Sequence, residues 1–244
     1  MNSSITPASS LQRVERALYA SGLVVVGWRN LAELPETWWV GDAPPDGGSL
    51  LVIGNVGGRF WRSVRSTDQF QGDHPLDAAS VHATETVIAE ALACTRELLY
   101  PDPQATRVNL LAVLNAMQWQ HPSPLGLGIH AQYGLWQAVR AAWWVSDAAP
   151  TRVVQSPAPD VCASCTSQAC VVACPATAVR VGEWPKLTAC ADYRFAPQSR
   201  CAETCVAREA CPVAVEYRYD SDQLAHHYRL DRSLIRAYRS DPDA

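Results

Sequence analysis

Eight cysteines lie between positions 162 and 211. Cys162, Cys165, Cys170 and Cys174 fall in "CASCTSQACVVACP", and Cys190, Cys201, Cys205 and Cys211 follow, the last again before a proline. Thiolates separated by two to four residues can converge on one centre, so metal or cluster ligation is the leading chemistry. A disulfide framework is the competing one. The opening stretch, MNSSITPASSLQRVERALYASG, has no basic start followed by a long apolar run, so no secretory signal is read and a cytoplasmic location is expected. Reducing compartments keep thiols free, which leaves ligation. Two four-cysteine zinc sites would accept such spacings, but zinc explains neither Cys-Pro ending, nor the small apolar stretch after each: Ala176 to Val179 and Val213 to Val215. The ninth thiol, Cys94, is expected to be a small buried hydrophobe.

The elements that must position these thiols are read from periodicity. Leu11, Val14 and Leu18 predict a helix over 9–21 closed by Gly22, and Leu23 to Trp28 reads as a strand. A Pro- and Gly-rich loop, 42–48, leads into the buried-strand run Leu50 to Ile53 and then Gly54 to Gly58. After His74-Pro75-Leu76-Asp77 a helix is expected over 78–99, with Val87, Ala91, Cys94 and Leu98 on one face. Val108 to Leu114 is a third apolar run, and "LWQAVRAAWWV" has strand length and composition. Strands alternating with helices argue for an α/β or α+β layer structure over 1–150. The segment from Ser146 to Pro159, with three prolines, marks a boundary. A cysteine unit over 151–219 has too little apolar sequence for a core of its own and needs a staple. In the tail, 220–244, Leu230, Leu234 and Tyr238 have helical spacing and are expected to pack back on the first domain.

Composition narrows the partners. A net charge of −4 gives no global reason to bind nucleic acid. No apolar run approaches the ~20 residues that span a bilayer. The nine tryptophans are read as core packing, with a homodimer interface as the alternative.

The Cys-x2-Cys-x4-Cys-x3-Cys-Pro group resembles the bacterial dicluster ferredoxin run, with two extra residues before its third cysteine. In that family the Cys-Pro cysteine of each group crosses to the other cluster. The resemblance therefore implies two 4Fe-4S clusters, one held by Cys162, Cys165, Cys170 and Cys211, the other by Cys174, Cys190, Cys201 and Cys205. Over a longer span, "PLGLGIHAQYGLWQAVRAAWWV", the first cysteine group, "KLTACADYR" and the final Cys-Pro together resemble the epoxyqueuosine reductases and reductive dehalogenases. The likeness covers roughly 105–215. The stretches "LPETWWV", "LLVIGNVGG" and "HPLD" look more distantly like cobalamin-processing chaperones. These resemblances imply a nitroreductase-like first domain followed by a ferredoxin-like domain and a C-terminal helix.

They also imply a bound cobalamin, as cofactor or as substrate, reduced by the clusters. Gly126, Leu127, Gly128 and Ile129 would approach the corrin, since glycine permits close backbone contact; a plain glycine-containing turn is the alternative. Gly54, Gly57 and Gly58 could cradle a nucleotide-tail phosphate. The sequence departs from the reductases in one respect: no Asp or Glu occurs from Pro103 to Ser146, where they carry an acidic proton donor. His121, His130 and Tyr133 are the candidate donors in its place, and His130 could instead reach cobalt. Epoxyqueuosine-tRNA is discounted as substrate. His226-His227 read as packing or solvent-facing residues, and Arg200 and Arg208 either as charges that neutralise the thiolates or as solvation of the rim. Three expectations result: a corrinoid-dependent iron–sulfur reductase taking electrons from a low-potential donor, a cobalamin-handling protein, or a corrinoid-free carrier docking a redox partner. FMN is the alternative organic cofactor on the same scaffold.

Overall fold

The computed structural model describes residues 7–40, 44, 46–102, 107–149 and 159–229. The chain runs α1 (Pro7–Ala20), β1 (Leu23–Asn30), β2 (Ser49–Val56), α2 (Arg59–Val64), α3 (Pro75–Ala91), β3 (Arg96–Tyr100), α4 (Leu110–Ala116), β4 (His121–Pro122) and β5 (Gly128–Ile129). It continues through β6 (Gln137–Val145), α5 (Ala169–Ala173), α6 (Leu187–Phe195), α7 (Val206–Glu209) and a helix over 221–229. The expectations for Leu230, Leu234 and Tyr238 lie outside the described residues. No helix among the described residues is long and apolar enough to cross a membrane.

Four strands form one sheet in the order β1-β2-β6-β3, antiparallel at every pairing. Of the two expected classes, α/β and α+β, the antiparallel ladder with its covering helices is the latter. β2 and β6 are interior strands covered on both faces, which is why they read as unbroken apolar runs rather than alternating ones. On one face Leu51, Ile53, Ala141 and Trp143 pack with Val14 and Leu18 of α1, Phe60 and Trp61 of α2 and Ile88 of α3. On the other, Leu50, Val52 and Trp144 pack with Trp38 and with Val113 and Leu114 of α4. Eight of the nine tryptophans are buried or half-buried, and Trp184, 70 % exposed, is the exception.

Each ladder carries one irregularity. Residues on opposite faces of a strand alternate, so one extra residue exchanges the faces beyond it. In β1 the shift falls between Val25 and Gly27, so both Val25 and Trp28 face the α1 side while Val26 faces the other. In β6 the extra residue is Arg140. It is 8 % exposed, and its Nε donates to Asn55 Oδ1 at 2.5 Å, so a buried cation and a buried amide satisfy each other. In β3 the extra residue is Leu99.

One expected element is corrected, and one apolar run left unassigned is settled. The helix predicted over 78–99 ends at Ala91, Leu92 is extended, and residues 96–100 are β3. Val87 and Ala91 do join Cys94 and Leu98 in one apolar cluster, but from a helix, a turn and a strand. The alternation of Leu98 toward one core and Leu99 toward the other decides for a strand. The apolar run 108–114 is mostly α4, started by Asn109, whose side chain accepts from the Ala112 amide at 3.1 Å.

The chain divides into two compact units, 1–119 with 137–157, and 120–136 with 158–244. This division differs from the expected partition in two places. The Gly-Leu-Gly loop belongs with the cysteines rather than with the sheet. The helix over 221–229 also belongs there: its Leu224 and Tyr228 pack with Trp136, Tyr217 and Tyr219.

Candidate functional site

The second unit has thin apolar cores. Ile129, Leu135 and Cys211 form one with Leu125, Val161, Cys162 and Val213 around them, and Trp136, Tyr219 and Leu224 form the other. Two short helices, α5 and α7, pack on one another, and each leads into a Cys-Pro turn. The turns echo each other: the third residue after each cysteine, Thr177 and Ala214, has a positive φ, 52° and 57°. A left-handed backbone at a residue other than glycine costs about 1–2 kcal/mol and persists only where its surroundings dictate it. Gln168 and Gln198, just before Cys170 and Cys201, share this conformation.

The thiols influence one another in two groups. Burial pushes the Cys162 thiol up to about 11, helped by Asp160 and by Cys211, Cys170 and Cys165. Cys170 is raised by burial and then by Cys211, and Cys211 by burial and by Cys165. Cys190 is raised by burial, Cys205, Cys174 and Cys201; Cys201 by burial, Cys205 and Cys174. Backbone amides partly offset the cost of the charged form. The backbone at Val206 favours the charged form of Cys201, that at Val213 the charged form of Cys211 and that at Val171 the charged form of Cys170, while Cys165, whose Sγ lies 3.6 Å from Ser167 Oγ, has its thiol lowered. Among the described residues no three His, Cys, Asp or Glu side chains are grouped for a single metal ion.

The loop before β6 forms the wall beside Cys162 and Cys211. β4 and β5 pair as a hairpin, His121 opposite Ile129 and Pro122 opposite Gly128, closed by the turn in which Ser123 N–H donates to Leu127 O. Gly126 takes a φ of +70° in that turn, and a Cβ there would lie 3.2 Å from Pro185 and 3.5 Å from Trp184. A Cβ on Gly128 would overlap the Gln120 side chain. Both glycines therefore face the protein's own side chains, and Gly126 fills the role of a turn residue. Leu127 is 41 % exposed, while Ile129 is buried beside Cys211.

The three candidate donors come together. His130 and Gly134 exchange backbone hydrogen bonds of 2.9 and 2.8 Å, and within that turn His130 Nδ1 accepts from the Gln132 and Tyr133 amides at 3.0 and 3.2 Å. The His130 ring stacks on Tyr133 with centroids 4.5 Å apart, and Tyr133 meets Tyr217 edge-on at 5.1 Å. Burial, with the His121 charge second, lowers the His130 pKa to about 4, so the ring is neutral at physiological pH. With Nδ1 accepting, its proton resides on Nε2. Burial raises the Tyr133 hydroxyl, Tyr217 adding to it. Gly134, at φ +59°, lies against Val213: a Cβ there would be 2.6 Å from Val213 O. Arg208 donates to Leu135 O at 2.6 Å, and Arg218 to Cys211 O at 3.1 Å.

Gly54, Gly57 and Gly58 lie in the first unit. Gly54 lets β2 approach Ala138 O and Val26 closely, Gly57 turns at φ +61°, and Gly58 starts α2. Cys94, also there, is half-buried with its thiol raised by burial, as expected of a packing residue. His227 tilts against Tyr219 at 5.7 Å and His226 meets His227 at 5.6 Å, a packing arrangement.

Sequence reasoning passed over Arg194, Tyr228 and Asp160. Arg194 stands one helical turn after Cys190 on α6, a spacing that carries the signal. Asp160 precedes the first cysteine by two residues and accepts from the Cys162 and Ala163 amides at 2.9 and 3.1 Å. Nothing in the sequence ties Tyr228 to Cys205. A scan against protein-family models and a search of curated proteins find nothing that matches this chain.

Proposed function

We propose that this chain is an iron–sulfur oxidoreductase that moves low-potential electrons through two 4Fe-4S clusters, with cobalamin as the acceptor that the family resemblance implies. What supports the clusters is the run of eight cysteines in two sequence groups, each ending in Cys-Pro, with the packed helices α5 and α7 each leading into one of those turns. A tetrahedral zinc with bonds of about 2.3 Å needs its four sulfurs nearly in contact, whereas a cluster takes each thiolate on a separate iron and spreads them. When bound, such clusters supply reversible one-electron storage at a potential set by charge, hydrogen bonds and burial. The chain's own contribution is to hold thiols whose charged form burial disfavours and to exclude water from Cys201 and Cys211.

The loop beside Cys211 supplies the proton chemistry in this reading. Neutral His130, with its proton on Nε2, and protonated Tyr133 are the donors for a reduction that consumes protons, and they take the place of the absent acid. A second reading, a corrinoid-free carrier that docks a redox partner, is favoured by the filled space at Gly126 and Gly128.

Anaerobic reconstitution tests the proposal. Eight irons and eight sulfides are expected, and Cys211→Ala and Cys174→Ala are each expected to lose four irons of different electron-paramagnetic signature. Two zincs in place of iron, or loss of the same four irons in both variants, would refute it. A shift in the optical spectrum of added cobalamin under a low-potential reductant selects the corrinoid reading. No shift, and no FMN binding, selects the carrier.

A further inference from the structure

Two arginines among the described residues are buried, Arg194 at 5 % exposed and Arg140 at 8 %. Their surroundings differ. Arg194 donates to Tyr228 O at 2.9 Å and spreads its charge over the Tyr228 ring at 4.7 Å. Arg140 has the neutral side chain of Asn55 as its partner, with Nε donating to Oδ1 at 2.5 Å. Asn55 Nδ2 donates in turn to Gly57 O at 3.1 Å, which turns Oδ1 toward Arg140 and fixes Nε as the donor that is used. The donors on Nη1 and Nη2 meet no acceptor among the described residues, and no ion pair among them reaches the guanidinium.

A guanidinium keeps its charge at any pH a protein meets, so burying one without a counter-charge is strongly unfavourable. The backbone nevertheless builds this position deliberately. Arg140 is the extra residue of β6, and a bulge is the means by which a strand re-aims one side chain. Asn55 stands opposite Leu23, on the face packed by α1, α2 and α3, so its bond to Arg140 draws the guanidinium to that face. Neither Nη belongs to the side-chain nitrogens that are both sealed from water and unpartnered, so this edge of the guanidinium is open to solvent. The acid felt in the same neighbourhood is Asp77, in the first turn of α3: after burial, it raises the Tyr100 hydroxyl while Arg140 lowers it. Asp77 forms no ion pair with Arg140, so it weakens the local field without occupying the Nη edge.

We propose that Arg140 is the cationic centre of an oxyanion site on the first unit, taking a carboxylate or a phosphate group of a ligand through Nη1 and Nη2. Two nitrogens on one planar edge match two oxygens on one carbon or phosphorus. Asn55 is a positioning residue: by holding Nε it leaves the Nη edge for the ligand. The anion supplies the counter-charge that the sheet lacks, and no bond forms or breaks. Arg140, Asn55, Gly57 and Asp77 all lie in the first unit, so the site stands apart from the two-cluster reading and survives or fails without it.

The test is a titration of the full chain with inorganic phosphate, and separately with acetate, at an ionic strength held constant with chloride. Binding is read as heat by calorimetry and as shifts of the arginine Nε–H signals by NMR. One Nε–H signal, the one absent from Arg140→Lys, is expected to move and saturate while the other arginines stay in place. Arg140→Lys keeps the charge but loses the two-nitrogen edge, and is expected to bind about tenfold more weakly, the loss of one charge-assisted hydrogen bond. Asp77→Asn removes the opposing charge from a helix surface and is expected to tighten binding, a readout that holds even if Arg140→Lys fails to fold. Tighter binding of phosphate than of acetate assigns the site to a phosphorylated ligand, and the reverse order to a carboxylate. No saturable response to either anion, equal movement of all arginine signals, undiminished affinity in Arg140→Lys, or weaker binding in Asp77→Asn would overturn the proposal.

Discussion

His130 shows how a single side chain is spent. Its Nδ1 accepts two amides of its own turn, so protonating the ring breaks two hydrogen bonds at once and places a charge in a half-buried site beside His121. The folded pKa of about 4 is below the ordinary value of 6.5, so as pH falls the unfolded chain takes up the proton first. The contribution of this turn to stability is complete above pH ~6.5 and is lost as pH falls through ~4. Histidine NMR shifts are expected to show one ring neutral, with its proton on Nε2, throughout that window. A titration midpoint near 6.5 for His130 would contradict the assignment. At the same scale the cysteines were legible in the sequence, because short spacings and Cys-Pro endings are local signals. Arg194 was half-legible at one turn from Cys190, and its contact with Tyr228 was not, because that contact joins two elements.

Elements were legible where one period held throughout. α1, β1, β2 and β6 fall close to where apolar spacing puts them. The failures have physical causes. "EALACTRELLY" keeps apolar residues at helical spacing across a break, and only the opposite cores of Leu98 and Leu99 show that the second half is extended. α4 was hidden because a short apolar run of seven residues fits a strand or a helix, and its cap at Asn109 decides. The loop over 120–136 was placed with the wrong neighbours because its partners, Val213, Tyr217 and Arg208, follow it by more than seventy positions. Gly134 is where that loop meets the last Cys-Pro turn. Gly134→Ala must accept a positive φ and a Cβ 2.6 Å from Val213 O, so a loss of about 2 kcal/mol in the second unit is expected from the left-handed cost and the clash. Denaturant unfolding followed by circular dichroism and tryptophan fluorescence measures it. An unchanged midpoint would mean that the turn shifts freely.

At the scale of the molecule the two units differ in what holds them. The first has a sheet covered on both faces by large apolar clusters, and among the described residues the second has two clusters with three buried members each. A core that small does not offset chain entropy without a bound centre. On the two-cluster reading, chelating the iron of the reconstituted protein is therefore expected to abolish amide protection over 120–136 and 159–229 while protection persists in β1, β2 and β6. Hydrogen exchange with mass spectrometry reads this directly. Equal loss in both units would show that the sheet also depends on the clusters, and no loss in either would show that the second unit folds without them.

The chain passes out of the first unit at Trp119 and returns at Gln137 to lay down β6, the strand that joins β3 to β2. On the ribosome, then, β1, β2 and β3 emerge without the strand that makes them one sheet. The loop that guards Cys211 is made before that cysteine exists, and it has to wait for nearly the whole second unit. Translation order thus schedules the protein: sheet closure comes with residue 145, and the cysteine foursomes can be filled only after residue 211 has been added. A stalled chain that ends between the two would carry a finished sheet and a set of open thiols.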